Sequence, residues 1–147
     1  MADESAAARI FCKIMRGEIP ASIIAETDSV LALMDIQPVN PGHVLVIPKA
    51  PATYLAGLDA KVGGEIFQLA MQIADGLRRS GLRCEGVNLF LADGVAAGQE
   101  VFHVHLHVFP RFEEDGFGLR FGPDYGRHPA REELDRIASS ITAAMDK

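Results

Sequence analysis

What this 147-residue chain lacks narrows its chemistry before any motif is considered. Positive charge is scarce: 14 Lys and Arg stand against 20 Asp and Glu, a net charge of −6. A nucleic-acid or anionic-membrane partner needs a basic face, so neither is expected. Cysteine is nearly absent. Cys12 and Cys84 lie far apart and form no CxxC pair, so reduced thiols are expected rather than a disulfide framework. No apolar run approaches the length of a membrane span. The start, MADESAAAR, carries acids and no apolar h-region, so no signal peptide is expected and the cytoplasm is the expected compartment. Repeats and linkers are missing as well. The expectation is a single domain over residues 1–147, large enough for one sizeable core, with a C-terminal loop and helix from about 112.

What is present reads as alternating strands and helices. Residues 1–4 are expected to fray. Ile10 and Phe11 with Ile14 and Met15 make a one-sided helical stripe over 6–16, and Gly17 is placed to stop it. ASIIAET and SVLALMD form a hairpin split at Asp28. IQPVNPG is a turn, and HVLVIP is the next strand. Val62, Ile66, Leu69, Ile73 and Leu77 recur at steps of three and four, which predicts a long helix over 59–80 between an Asp59 N-cap and Gly81. GVNLFLAD is a strand, GVAAGQ a loop, and VFHVHLHVF the last strand. Residues 116–128 look like an irregular surface loop. Pro129, Glu132 and Glu133 open a C-terminal amphipathic helix carrying Leu134, Ile137, Ile141 and Met145. The fold class expected is α+β: a five-stranded antiparallel sheet with one long helix and N- and C-terminal helices.

Histidine too is scarce, at five in the chain, yet His103, His105 and His107 fall within five positions of QEVFHVHLHVFP. In a strand these three share one face, and Val104, Leu106 and Val108 pack on the other. A surface strand that happens to carry histidines is one explanation. A metal site is a second, but the outer two histidines are ~13 Å apart at ~3.3 Å per residue. Metal–nitrogen bonds are only ~2.1 Å. A third is an extended anionic ligand lying along an outward imidazole face. Imidazole attacks phosphorus well, and a neighbouring imidazolium can protonate a leaving group near neutral pH. The small-residue loop GVAAGQEV just before the strand offers backbone N–H groups for an anion nest, although Gly94 and Gly98 alone would serve ordinary turns.

HVHLHVF matches the pattern His-φ-His-φ-His-φ-φ, where φ is apolar. Together with RIFCKIMRGEIPA, MDIQPVNPGHVLVIPK and AAGQEVFHVHLHVFPR, it makes nearly the whole chain resemble the histidine triad family. The similar branch holds nucleotide-binding triad proteins and dinucleoside polyphosphate hydrolases. The resemblance implies a homodimer with a continuous sheet, a purine nucleotide or dinucleoside polyphosphate as ligand, and no cofactor or metal in the chemical step. It implies that His105 attacks the α-phosphorus of a dinucleoside polyphosphate or nucleoside phosphoramidate, and that water then releases the monophosphate. His107 would contact phosphate oxygens, and His103 would join a hydrogen-bond network with His43. Asp35 would bond the ribose hydroxyls. Phe11, Ile14, Leu33 and Ile36 match the apolar walls around the base. Gly98, Gln99, Glu100 and Val101 match the phosphate loop. Each position has a plainer role as well: strand end for His43, turn for Asp35, core packing for the apolar four.

The chain also departs from the pattern it resembles. Ala92 stands where relatives carry Asn or Gln, and Asn88 on the same strand is the candidate to compensate. Glu100 stands where many have Ser or Thr, so its side chain is expected to point away from phosphate. Arg111 is expected to be an exposed charge rather than a phosphate ligand. Arg9 and Pro51 replace a Cys and a His of a structural zinc site found in some relatives, so no zinc is expected. Two further functions compete with the enzyme: a nucleotide-binding module with negligible turnover, and a metal-dependent hydrolase.

Overall fold

Asp59 caps the longest helix, its carboxylate accepting from the N–H groups of Lys61 and Val62 at 2.9 and 3.2 Å. This computed structural model describes residues 6–145, so the fraying expected for residues 1–4 lies outside the described residues. The elements in order are α1 (Ala6–Met15), β1 (Ile23–Glu26), β2 (Val30–Met34), β3 (Val44–Pro48), α2 (Ala60–Arg79), β4 (Gly86–Phe90), β5 (Leu106–Arg111) and α3 (Arg131–Met145). Contacts divide the chain into two compact units, Met1–Phe117 and Gly118–Lys147.

The first unit holds a five-stranded sheet in the order β1-β2-β3-β5-β4, every pair antiparallel. The β1–β2 hairpin turns through Thr27, whose hydroxyl accepts from the N–H groups of Ser29 and Val30. One face of the sheet packs under α2. Val30, Ala32, Val44, Val46, Leu106 and Val108 meet Ile66, Ala70, Ile73 and Leu77 there. The helical stripe expected from the sequence supplies this layer. The opposite face carries Leu31, Leu33, Leu45 and Ile47, covered by Phe11 from α1. The sheet is therefore covered on both sides where it crosses the histidine region.

The last strand starts later than expected, at Leu106 rather than Val101. Its partner β3 ends at Pro48, and Val46–Leu106 is the last pair of the ladder. Val104 instead donates its N–H to the Ala52 carbonyl at 2.8 Å. His103 consequently lies in a bend before the strand, His105 just ahead of it and His107 within it.

The second unit is a loop and α3. Glu132 and Glu133 lie in the first turn of α3, where the helix end is positive. The Phe121 and Tyr125 rings stack at 3.9 Å. None of the described α3 residues is buried. Among the described residues no helix is long and apolar enough to cross a membrane.

Candidate active site

The register between β3 and β5 decides which side chains meet. Leu45 pairs with His107 and Val44 with Val108. Side chains alternate, so His43, Leu45 and Ile47 share a face with His105 and His107. His43, two residues before Leu45, is the diagonal neighbour of His107 on that face. The two rings touch, with His43 Nε2 2.9 Å from His107 Nδ1. The partner expected for His43 was His103, and this is corrected. His103 lies at the other end of the row, with its Nε2 2.8 Å from the Pro48 carbonyl. Antiparallel pairing puts the start of β3 beside His107 and its end beside His103.

The row is also not the outward face expected from the alternation. His103 is 2% exposed and His105 9%. Phe11 of α1 covers them edge-on, its centroid 5.5 Å from His103 and 5.9 Å from His105. The stripe that makes α1 a helix brings this ring across the imidazoles.

Three of the four imidazoles, His43, His103 and His105, have one nitrogen committed to a backbone group whose donor or acceptor character is unambiguous, and the His107 tautomer follows from that of His43. His105 Nδ1 lies 2.7 Å from the His103 carbonyl oxygen, which only accepts. Nδ1 therefore carries the hydrogen, and Nε2 keeps its lone pair. His103 Nε2 donates to the Pro48 carbonyl for the same reason. His43 Nδ1 accepts the Val39 N–H at 2.9 Å, so its hydrogen is on Nε2 and is donated to His107 Nδ1. The neutral His107 ring then carries its hydrogen on Nε2. The His105 and His107 rings lie edge to face, 4.9 Å between centroids. One ring offers a lone pair and its neighbour offers an N–H.

Asp35 follows β2 and donates its N–H to the His43 carbonyl at 3.0 Å. One carboxylate oxygen accepts the Gln37 N–H at 2.8 Å. The other lies 3.5 Å from His43 Nε2 and 3.9 Å from His107 Nδ1. Asp35, His43 and His107 offer three ligand atoms within 4.8 Å of one another. A cation there would need the His43 Nε2 lone pair. That would move the ring hydrogen to Nδ1, against the Val39 N–H. The trio fits a hydrogen-bond relay better than a metal site.

A family model described as the HIT domain matches residues 16–114. The chain belongs to the HIT family. A crystal structure of a HIT family protein from Bacillus anthracis superposes with a TM-score of 0.83 at 38% identity, covering 92% of this chain and 95% of that one. The adenosine 5′-monophosphoramidase hnt1 of Schizosaccharomyces pombe is 36% identical over 137 residues, 92% of this chain and 97% of that protein. The adenylylsulfatase HINT3 of Arabidopsis thaliana is 36% identical over 144 residues, 92% of this chain and 66% of that protein. At the level of the family, nucleotide hydrolysis is therefore an activity that HIT members carry.

Electrostatics in the HIT site favour neutral rings at His43, His103 and His107. Burial pushes His107 down to about 4, helped by the neighbouring His105 and His43 and opposed by Asp35. Burial also lowers His43, against the pull of Asp35, and lowers His103, against its bond to Pro48. The donor that His107 presents is a neutral imidazole at neutral pH, where the sequence suggested an imidazolium.

The residues expected to form a phosphate loop are placed as follows. Gln99 is buried, and its side chain is spent on the loop itself. Its Oε1 accepts the Gly94 N–H at 2.8 Å, and its Nε2 donates to the Thr53 and Val101 carbonyls. Its own N–H bonds the Gly94 carbonyl. Gly94 and Gly98 have φ of +101° and +91°, conformations that glycine adopts without strain. Glu100 is exposed and Val101 packs against the Phe11 cluster. Ile14 packs there as well, whereas Phe11 and Leu33 are core residues of it. Ile36 is 95% exposed and lies apart from that cluster. Ala92 is buried.

Asn88 and Arg111 are engaged with each other rather than free. Arg111 donates from Nη1 to Asn88 Oδ1 at 2.6 Å and from Nη2 to the Phe117 carbonyl at 2.7 Å. Its Nε and Nη2 clamp the Asp115 carboxylate. The exposed charge expected at Arg111 is thus a partly buried structural one. Val39, Asn40 and Asp115 escaped the sequence reading. An Asp-Gly pair after a strand signals a turn, but nothing in EEDGF marks Asp115 as the acid that turns inward.

Proposed function

We propose that this HIT protein is a nucleotidyl hydrolase or transferase acting at the α-phosphorus of dinucleoside polyphosphates or nucleoside phosphoramidates. The observation that carries the proposal is the His105 ring, whose Nδ1–H donates to the His103 carbonyl and leaves Nε2 as the free nucleophilic nitrogen. In the first step Nε2 bonds the α-phosphorus, and the bond from phosphorus to the leaving group breaks as the leaving group takes a proton from solvent. The ring becomes positively charged, and its Nδ1–H bond to a carbonyl oxygen strengthens as it does so. The Nε2–H of His107 donates to a non-bridging phosphoryl oxygen and stabilises the charge that gathers there. In the second step water attacks phosphorus and gives one proton to solvent, the nitrogen–phosphorus bond breaks to restore the neutral His105 ring, and a nucleoside monophosphate leaves. Asp35, at the end of β2, is the acceptor for ribose hydroxyls. The names of the two enzymes above, a phosphoramidase and a sulfatase acting on adenylyl compounds, support an activated nucleotide as the substrate class.

The same proposal includes a homodimer with a continuous sheet. In its support, β4 is an edge strand with Leu89 and Phe90 exposed, and the adjacent α2 exposes Phe67 and Met71. An unpaired edge beside apolar side chains is a pairing surface.

Turnover of dinucleoside tetraphosphate, dinucleoside triphosphate and nucleoside phosphoramidate, each with and without EDTA, tests the activity. At least one is expected to turn over unaffected by EDTA. His105→Ala should lose at least about 10³-fold in rate while purine nucleotide still binds. Binding with no turnover of any substrate by the unaltered protein would instead indicate a binding module. Loss of activity in EDTA would indicate a metal-dependent hydrolase.

A further inference from the structure

Among the described residues of the first unit, the most extensively bonded acid lies outside the histidine row. The Asp115 side chain is 2% exposed and accepts five hydrogen bonds. Its Oδ2 takes Arg111 Nε at 2.6 Å, Asn40 Nδ2 at 2.8 Å and the Phe112 N–H at 3.2 Å. Its Oδ1 takes Arg111 Nη2 at 3.0 Å and the Phe117 N–H at 3.1 Å. Those bonds hold a strained turn, since Glu114 has a φ of +62° in the left-handed region.

Asn40 connects this acid to the histidines. It is buried, and both hydrogens of its Nδ2 are used, one on Asp115 and one on the Pro110 carbonyl at 2.9 Å. Its backbone carbonyl accepts the His43 N–H at 3.1 Å. One residue earlier, the Val39 N–H bonds His43 Nδ1. The turn from Val39 to His43 is thus pinned to the end of β5 by one amide side chain, and that turn sets which nitrogen of His43 carries hydrogen.

We propose that Asn40 and Asp115 are positioning residues for the reaction: Asp115, through Asn40, holds the Val39–His43 turn that fixes the His43 tautomer and with it the N–H that His107 directs at the phosphoryl group. The inference rests on the proposed nucleotidyl transfer. Neither residue touches substrate. Without Asn40 the turn loses its tie to β5, Val39 N–H and His43 Nδ1 drift apart, and His43 samples both tautomers. His107 Nδ1 then loses its fixed donor, and the His107 hydrogen is no longer held on Nε2.

The test compares Asn40→Ala with the unaltered protein by imidazole nitrogen NMR on histidine-labelled samples, alongside steady-state kinetics. His43 and His107 are expected to shift toward mixed tautomers. His103 and His105, held by the Pro48 and His103 carbonyls, keep theirs. kcat should fall about 10- to 100-fold, as for other residues that orient a first-contact histidine, with KM changing far less. Unchanged tautomers at His43 and His107 would overturn the proposal whatever the rate, and so would shifted tautomers with unchanged kcat. Should Asn40→Ala fail to fold, Asp115→Asn gives the same comparison, because it keeps the shape but offers Asn40 and Arg111 one acceptor oxygen fewer. If the unaltered protein turns nothing over, nucleotidyl transfer fails, while the tautomer comparison still judges the positioning chain by itself.

Discussion

A neutral imidazole acts as nucleophile or as donor according to what holds its other nitrogen. In this site the holders are backbone groups at three of the four rings: the Val39 N–H at His43, and the Pro48 and His103 carbonyls at His103 and His105. Backbone holders cannot change protonation state, so the assignment survives across pH until a ring itself titrates. His107 titrates near 4, against 6.5 for a free histidine. The unfolded chain therefore takes up this proton as pH falls through 6.5, and the native chain does not until about 4. Stability is full above about 6.5, declines across that window, and stays lowered below it. The loss from His107 is on the order of 3 kcal/mol, and the lowered His43 and His103 add in the same direction. Urea denaturation across that range should show the decline, with a shallower slope in His107→Gln. Equal slopes in the two proteins would contradict a buried neutral His107.

At the scale of elements, the exposed edge of β4 and the outer face of α2 carry the dimer proposal. The unaltered protein is expected to sediment as a dimer. Phe67→Glu with Met71→Glu should yield a monomer with unchanged helix content, because both side chains are already more than half exposed in one chain. A monomeric unaltered protein would refute it. Elements whose signals are local were legible in the sequence. α2 follows from its apolar period and Asp59, α1 from its stripe, and the hairpin from the break at Asp28. What depends on pairing was not. The contact between His43 and His107 follows from Leu45 standing opposite His107, and one strand's alternation says nothing about its partner's register. The burial of His103 and His105 depends on where α1 lays Phe11, a tertiary fact. The late start of β5 goes with Val104, whose N–H bonds the Ala52 carbonyl instead of joining the β3 ladder. Asp115 hid in a run of charges that reads as solvent-facing.

For the molecule as a whole, a net charge of −6 surrounds the histidine row that we propose receives a phosphoryl group. In that proposal recognition comes from directed N–H groups at short range rather than from a broad basic field, as suits a small nucleotide. A single imidazole nitrogen that first bonds phosphorus and then yields it to water inverts that centre twice. The steric course at phosphorus is therefore the most direct test of the whole account. With a substrate chiral at the α-phosphorus, turnover in isotopically labelled water should give a monophosphate with net retention of configuration. Net inversion would mean that water displaces the leaving group in one step, and that His105 is never bonded to phosphorus.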